Sequence, residues 1–479
     1  MAGKVSGGGT KTTRDAIPSG ASAAEIADLI RSKAFSSVEV TKACLARIAA
    51  LDPVYHAYTL VLPEQALAAA ARADREVAAG GALGPLHGVP VNVKDAFRIR
   101  GTPTTLGSPL LSGVADTDGD AACVDRLVAA GAVILGKTNV GSDEWANPEI
   151  PRFEAPRNPW NTGYTAGGSS SGSAVSVSIG MGYASVGTDL GGSIRIPAAF
   201  TGLVGVKPTY GRVSLRGDIF GLCRTLEHVG PLTRTVRDAA LMLGVLAGHD
   251  PQDPASIDVP VPDYVASLER RTPAGLRVGW TSDGGPYGSD AEILNRVADQ
   301  AKVLVRAGAD IAEVSLPHAR TSLWFEATML EEWEAHDTGE IGPGEYGAFI
   351  RTRLRGARRK VMGELAIQIR HLRDAYRDLF EHVDLLLMPA VPIPATPYGT
   401  RAMPWAGGDM ALMDLQIANC WVFNATGHPA MVVPCGVTGD GLPIAAQLVA
   451  RHFEECTLLG AAAILEEAQG GPALPPSAA

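Results

Sequence analysis

Cysteine is scarce in this sequence and nowhere paired. Six are scattered over 479 residues (Cys44, Cys123, Cys223, Cys420, Cys435 and Cys456), with no C-x-x-C and no zinc-ligand spacing. That excludes a disulfide scaffold and a zinc module, and leaves isolated thiols of a reducing compartment. Charge is thin as well: 19% of residues, with a net of −10. The basic surface that non-specific nucleic-acid binding requires is missing. No run of about 18 apolar residues is free of Gly, Pro and charge, so nothing reads as a membrane span. The opening "MAGKVSGGGTKTTRDAIPSG" lacks an apolar core of signal-peptide length and reads as a flexible tail. H-E-x-x-H, S-x-x-K and internal repeats are absent too. These absences lead to the expectation of a soluble cytoplasmic protein with no metal and no cofactor.

What remains is apolar and rhythmic. Hydrophobic residues make up 46% of the chain, enough for a large core. "SAAEIADLIRSKAFSSVEVTKACLARIAALDP" carries helical periodicity in two segments, with a capping box at Ser22 and Glu25 and with Pro53 as the expected end. "PEQALAAAARADREVAAGG" predicts a third helix. "HGVPVNVKDAF" predicts a short apolar strand with Lys94 near its end. "GDAACVDRLVAAGAVILGKT", "RVADQAKVLVRAGADIAEVSL" and "YRDLFEHVDLLLMPA" each run from helix to buried strand. Such alternation predicts an α/β fold, with a large mixed β-sheet core surrounded by helices. The expected organisation is a tail over 1–20, one domain over 21–470 and a tail over 471–479. Two Pro-rich stretches, 247–264 and 388–410, read as seams, the second also as a long irregular loop; loops of that length often carry function. The basic run 351–360 reads as a solvated helix face.

Three motif matches fail on context. Gly131-x-x-x-x-Gly136-Lys137-Thr138 has the letters of a phosphate loop, but Ala132–Leu135 reads as buried strand and follows a helix. Gly168-Ser169-Ser170-Ser171-Gly172 has the letters of a nucleophile elbow, yet no strand leads into it. "GPGEYG" (342–347) follows a polar, acidic stretch where a dinucleotide motif needs a strand. None of the ten histidines stands in a setting that announces a general base; His87 and His428, each in a loop-like stretch beside Gly, are the mild candidates.

Three pieces are left over: "GVPVNVKD" around Lys94, "GGSSSGSAVSVSIGMG", and "GTDLGGSIRIPAAF" around Ser193. A linker of Gly and Ser leads to polar low-complexity sequence. Here it leads to an apolar helix and a second Gly-rich turn, where backbones can approach closely. The stretch 167–197 resembles the signature of the amidase signature family, serine hydrolases of amide bonds. "PLHGVPVNVKD", "GAVILGKTN", "RNPWN", "GLVGVKPTYGRVS", "GPLTRTVRD" and "GLPIAAQLVA" resemble its other recurrent pieces in the family's order, over roughly residues 20–470.

The resemblance implies a Ser–Ser–Lys triad that uses no histidine. Ser193 is its nucleophile, Ser169 the bridging serine 24 residues earlier, and Lys94 the base. A cis peptide bond is implied at Gly168–Ser169, and an oxyanion hole from the N–H groups of Leu190, Gly191 and Gly192. One such donor is worth about 3–4 kcal/mol of barrier. Ser170, Asp189 and Arg195 match positions that orient the loops by hydrogen bonds. The residue types suit the chemistry: serine needs a base in contact, and burial lowers a lysine toward its neutral, basic form.

One branch of the family is the glutamine-hydrolysing A subunit of a tRNA-dependent amidotransferase. That branch places an aspartate ten residues before the Gly of an N-x-A-G-x-P motif. In "IANCWVFNATGHPA" the position is Ile417, and Trp421 and Phe423 add apolar surface. The expectation is therefore a free-standing hydrolase of small neutral, apolar or aryl amides, with carbamates (urethanes) and esters open to the same chemistry. The expected partner is the small-molecule amide or carbamate substrate, with no nucleic acid and no membrane; a homodimer is compatible. Pocket walls are expected from 141–157, 217–223, 322–336 and 398–423, with Trp324, Trp333 and Trp405 as aryl-site candidates.

Overall fold

The computed structural model describes residues 17–109, 112, 119–141, 152–218, 224–270, 272–317 and 360–476. The segment 322–336 with Trp324 and Trp333, "GPGEYG", the basic run up to 359 and Cys223 lie outside the described residues, as do residues 142–151 and 219–223 of the expected pocket walls.

Local chemistry sets the helix ends. Ser22 Oγ accepts the Glu25 N–H at 3.1 Å and the Glu25 carboxylate accepts the Ser22 N–H at 2.7 Å, the reciprocal cap that starts Ala23–Arg31. The second helix, Ser37–Tyr55, runs through Pro53 instead of ending there. Pro53 lacks the N–H that would close one helical bond, yet the helix continues two residues past it, and the stop comes at His56, whose φ of 53° is left-handed. Pro63–Ala79 ends at Gly80 with φ 75°.

Among the described residues thirteen strands follow one another: β1 (Tyr58–Val61), β2 (Pro90–Lys94), β3 (Val133–Thr138), β4 (Ala184–Thr188), β5 (Val204–Lys207), β6 (Val229–Thr233), β7 (Arg277–Trp280), β8 (Asp310–Glu313), β9 (Leu385–Pro389), β10 (Ala402–Trp405), β11 (Gly408–Ala411), β12 (Ala430–Val437) and β13 (Pro443–Ala450). Eleven form one sheet in the order β1-β3-β2-β4-β6-β5-β12-β13-β9-β7-β8. β2 runs parallel to β3 and β4, and β7 parallel to β8 and β9; the other pairs are antiparallel, so the sheet is mixed. The three helix-to-strand units expected from the sequence end in β3, β8 and β9.

Alternation along the strands divides the core in two. Leu385 and Leu387 face one cluster, Leu386 and Met388 the other; Met431 and Val433 oppose Ala430 and Val432 in the same way. The stretch expected to be irregular throughout 388–410 holds a hairpin instead. β10 pairs with β11 across Ala406 and Gly407, both at positive φ, the geometry that tight hairpin turns require.

Candidate active site

Lys94 is the last residue of β2 and Thr188 the last of β4, and these strands are parallel neighbours. Both side chains therefore emerge at the carboxyl edge of the sheet, where open α/β sheets place their ligands. Lys94 is fully buried, and its Nζ donates to Ser169 Oγ at 2.8 Å and to Thr188 Oγ1 at 2.7 Å. Burial pushes the amine down to about 8, against the opposing pull of Glu227, Asp218 and Asp189.

Ser169 sits in a turn whose Gly168–Ser169 peptide is cis. The turn is tied at each end: the Gly141 N–H donates to the Ser169 carbonyl at 2.9 Å, and the Ser170 N–H to the Ser193 carbonyl at 3.1 Å. The second bond brings the two Gly–Ser turns together. Ser170 Oγ donates to the Thr188 carbonyl at 3.1 Å, which anchors the first turn on the end of β4. Gly187 is a glycine for this reason, since a Cβ there would stand 2.7 Å from Ser170 Oγ. The turn opens into the helix Ser171–Ser178, every residue of which is buried. Ser169 and Ser193 each keep 7% of their surface exposed, in contrast to the sealed Ser170.

Asp189 organises the second turn. One carboxylate oxygen accepts from the Gly192 N–H, Arg195 Nη2 and Asn424 Nδ2, each at 2.8 Å. The other accepts from Arg195 Nε at 3.0 Å and the Ile194 N–H at 3.2 Å. Burial alone would raise this carboxyl; the Arg195 guanidinium and the hydrogen bonds from Arg195 and Asn424 outweigh burial and hold it well below the usual carboxylate range. Arg195 also donates to the Cys420 carbonyl and to Gln447, and so clamps the turn to β13.

The Gly192 N–H, expected in the oxyanion hole, is thus committed to Asp189. Among the described residues the N–H groups of Leu190, Gly191 and Ser193 make no hydrogen bond. Those three are the N–H groups of this turn left without an acceptor among the described residues. Gly192 is needed for shape: its φ is 127°, and a Cβ would meet Ile196 at 2.7 Å and Cys420 at 2.8 Å.

Sequence reasoning missed Thr188, Asn424, Glu227 and Asp218. Asn424 had a signal, the N-x-x-G-x-P letters; Thr188 had only its place beside Asp189; the two acids had none. The discounted motifs resolve structurally. Lys137 lies in β3 and pairs with Asp95 at 2.9 Å, both buried. No histidine bonds Lys94, Ser169 or Ser193 among the described residues: His87 Nε2 meets the Ala73 carbonyl and His428 Nδ1 meets Thr426. Trp405 donates its indole N–H to the Tyr287 carbonyl at 2.9 Å. No described helix is long and apolar enough to cross a membrane.

The sequence model of the Amidase family matches residues 39–459. The chain is 39% identical over 478 residues to the A subunit of the glutamyl-tRNA(Gln) amidotransferase from Geobacter metallireducens, covering 93% of this chain and 96% of the relative. Among solved structures, a bacterial aryl acylamidase of the amidase signature family superimposes with a TM-score of 0.84 at 29% identity, covering 94% of this chain and 96% of its own. A structure described as a vestigial protein complex bearing on the origins of an s-triazine catabolic enzyme superimposes with a TM-score of 0.86 at 30% identity, covering 95% and 100%.

Proposed function

Because this chain belongs to the amidase signature family, we propose that it is a serine hydrolase that cleaves the C–N bond of small neutral amides through an acyl-enzyme. The observation that carries this reading is the buried contact of Lys94 Nζ with Ser169 Oγ, at 2.8 Å, in a turn whose Ser170 N–H bonds the Ser193 carbonyl. In its neutral form Lys94 keeps Thr188 as acceptor and turns its lone pair to the Ser169 hydroxyl. Ser193 Oγ attacks the carbonyl carbon while its proton passes to Ser169 and the Ser169 proton passes to Lys94. The negative oxygen of the tetrahedral intermediate meets the N–H groups of Leu190, Gly191 and Ser193. On collapse the C–N bond breaks, and the proton returns through Ser169 to the leaving nitrogen. Water then repeats the sequence on the ester and frees Ser193.

The apolar character of the stretch 417–423 supports an apolar or aryl acyl group. Ile417 is 1% exposed, and Trp421 and Phe423 are buried in the helix Trp421–Ala425 that carries Asn424 to Asp189. Carbamates and esters pass through the same tetrahedral oxyanion and belong to the same reading. A second reading is the glutamine-hydrolysing A subunit of a tRNA-dependent amidotransferase, which would work with partner chains. The 39% identity to such a protein over nearly the whole chain favours it; the apolar Ile417 speaks for the first.

The test is hydrolysis of an aryl anilide, a small primary amide, an aryl carbamate, an aryl ester and glutamine by the wild type and by Ser193→Ala. The first reading expects turnover of the aryl compounds, lost in the variant at unchanged stability. Glutamine as sole substrate, or activity only with partner chains, selects the second. Appreciable turnover by Ser193→Ala sinks the relay altogether.

A further inference from the structure

Glu227 is the residue of this site that the relay leaves unused. It is 1% exposed, and both carboxyl oxygens are buried without a hydrogen-bond partner among the described residues. The strand register explains its position. Thr188 pairs with Val229, and Asp189 and His228 exchange both backbone hydrogen bonds, at 2.8 and 3.1 Å. The ladder thus continues past the strand ends and sets Glu227 opposite Leu190, on the face that carries Thr188. Diagonal neighbours on one face are within reach of long side chains. The Thr188 hydroxyl accepts from Lys94 at 2.7 Å, which leaves its own hydrogen to turn toward Glu227. The two carboxyl oxygens, buried and unpartnered, have the Thr188 hydroxyl on the same face as a diagonal neighbour.

We infer that Glu227 is a positioning residue: through the Thr188 hydroxyl it holds Lys94 Nζ toward Ser169, and its carboxyl sets how readily that amine gives up its proton. The inference rests on the hydrolase reading for its kinetic meaning. Three carboxyls act on Lys94, Glu227 first, then Asp218, then Asp189. Asp189 is already matched by Arg195. Asp218 stands across the bridge to Phe97 and acts on Glu227 as well. The remaining charges nearby balance one another or sit behind Asp189: Lys137 pairs with Asp95, burial holds His228 neutral, and Lys207, itself driven down by burial, acts on Asp189 and His228. Burial and Asp218 push the Glu227 carboxyl well above the usual range, and Lys94 draws it back. Amine and carboxyl are sealed in one low-dielectric site, so each sets the cost of charging the other.

The experiment is titration of Lys94 by NMR of lysine labelled with carbon-13 at Cε, the signal assigned by its loss in Lys94→Met, in the wild type, Glu227→Gln and Glu227→Asp. Glu227→Gln keeps the shape and removes the carboxylate. The expected result is a Lys94 midpoint lower by about one pH unit or more, with Glu227→Asp returning it toward wild type. The rising limb of kcat/KM with pH on an aryl substrate should move by the same amount, with KM unchanged and plateau kcat reduced. A midpoint in folded Glu227→Gln that coincides with wild type overturns the inference. Should that variant not fold, Thr188→Val and Thr188→Ser decide: a midpoint displaced in the valine variant and kept in the serine variant supports it, and equal midpoints overturn it. The titration reads Lys94 without turnover, so a wild type inactive on every substrate sinks the hydrolase reading and leaves the Glu227 result standing on its own.

Discussion

Replacing Lys94 by methionine should abolish activity and, at neutral pH, stabilise the protein. The amine is fully buried, and its fall from 10.5 to about 8 is the free-energy cost of charging it there. One pKa unit is 1.36 kcal/mol, so the penalty is about 3 kcal/mol at pH 7. The sign follows from proton counts. Below the folded value both states hold the proton, and the folded state bears the whole penalty. Between about 8 and 10.5 the unfolded chain binds more protons than the folded one, so wild-type stability rises with pH. At pH 9.5 about 1.5 kcal/mol of penalty remains. Methionine fills the volume but leaves Ser169 and Thr188 without their donor, about 1 kcal/mol each. Lys94→Met should therefore be about 1 kcal/mol more stable than wild type at pH 7 and slightly less stable at pH 9.5. Paired urea denaturations at the two pH values read the difference, and loss of the base should lower kcat by about a thousandfold or more. A stability difference that does not change with pH would mean that Lys94 titrates alike in both states, and the buried neutral base would be refuted.

Arg195→Leu leaves Asp189 buried without its cation. The expected loss is about 3–5 kcal/mol by urea denaturation, narrowing in acid. The sign is that of a depressed carboxyl, whose contribution is complete above the unfolded carboxylate range and disappears as pH falls through the folded value. Gly192→Ala forces a Cβ against Ile196 and Cys420 at positive φ. It should cost about 1–3 kcal/mol of stability and lower kcat more than it raises KM, because the turn that carries the free N–H groups moves; unchanged kcat would show that the turn has room to spare.

Much of this protein is written locally. The capping box at Ser22 needs only a serine and a glutamate three residues apart, so it is legible without the fold. The helix–Gly–strand units ending in β3 and β8 are legible for the same reason: periodicity and a left-handed glycine are properties of a short segment. The Gly–Ser turns around Ser169 and Ser193 and the lysine closing β2 stood out because packing alone does not call for them. Pro53 and the 402–411 hairpin were misread because a last-turn proline and an alanine at positive φ are tolerated where their surroundings favour them.

Sequence by itself determined the capped helices, the strands that close the helix-to-strand units, the Gly–Ser turns and which residue types stand there. Only tertiary structure decided what those residues face. Lys94 and Thr188 lie 94 positions apart and meet because β2 and β4 run parallel; Asn424 reaches Asp189 across 235. The commitment of the Gly192 N–H to Asp189 follows from a carboxylate held in place by Arg195 and by an asparagine from a distant helix. Desolvation belongs to the assembled core, and no segment carries it alone. That is why the lysine could be named from the sequence while its departure from the ordinary lysine pKa could not.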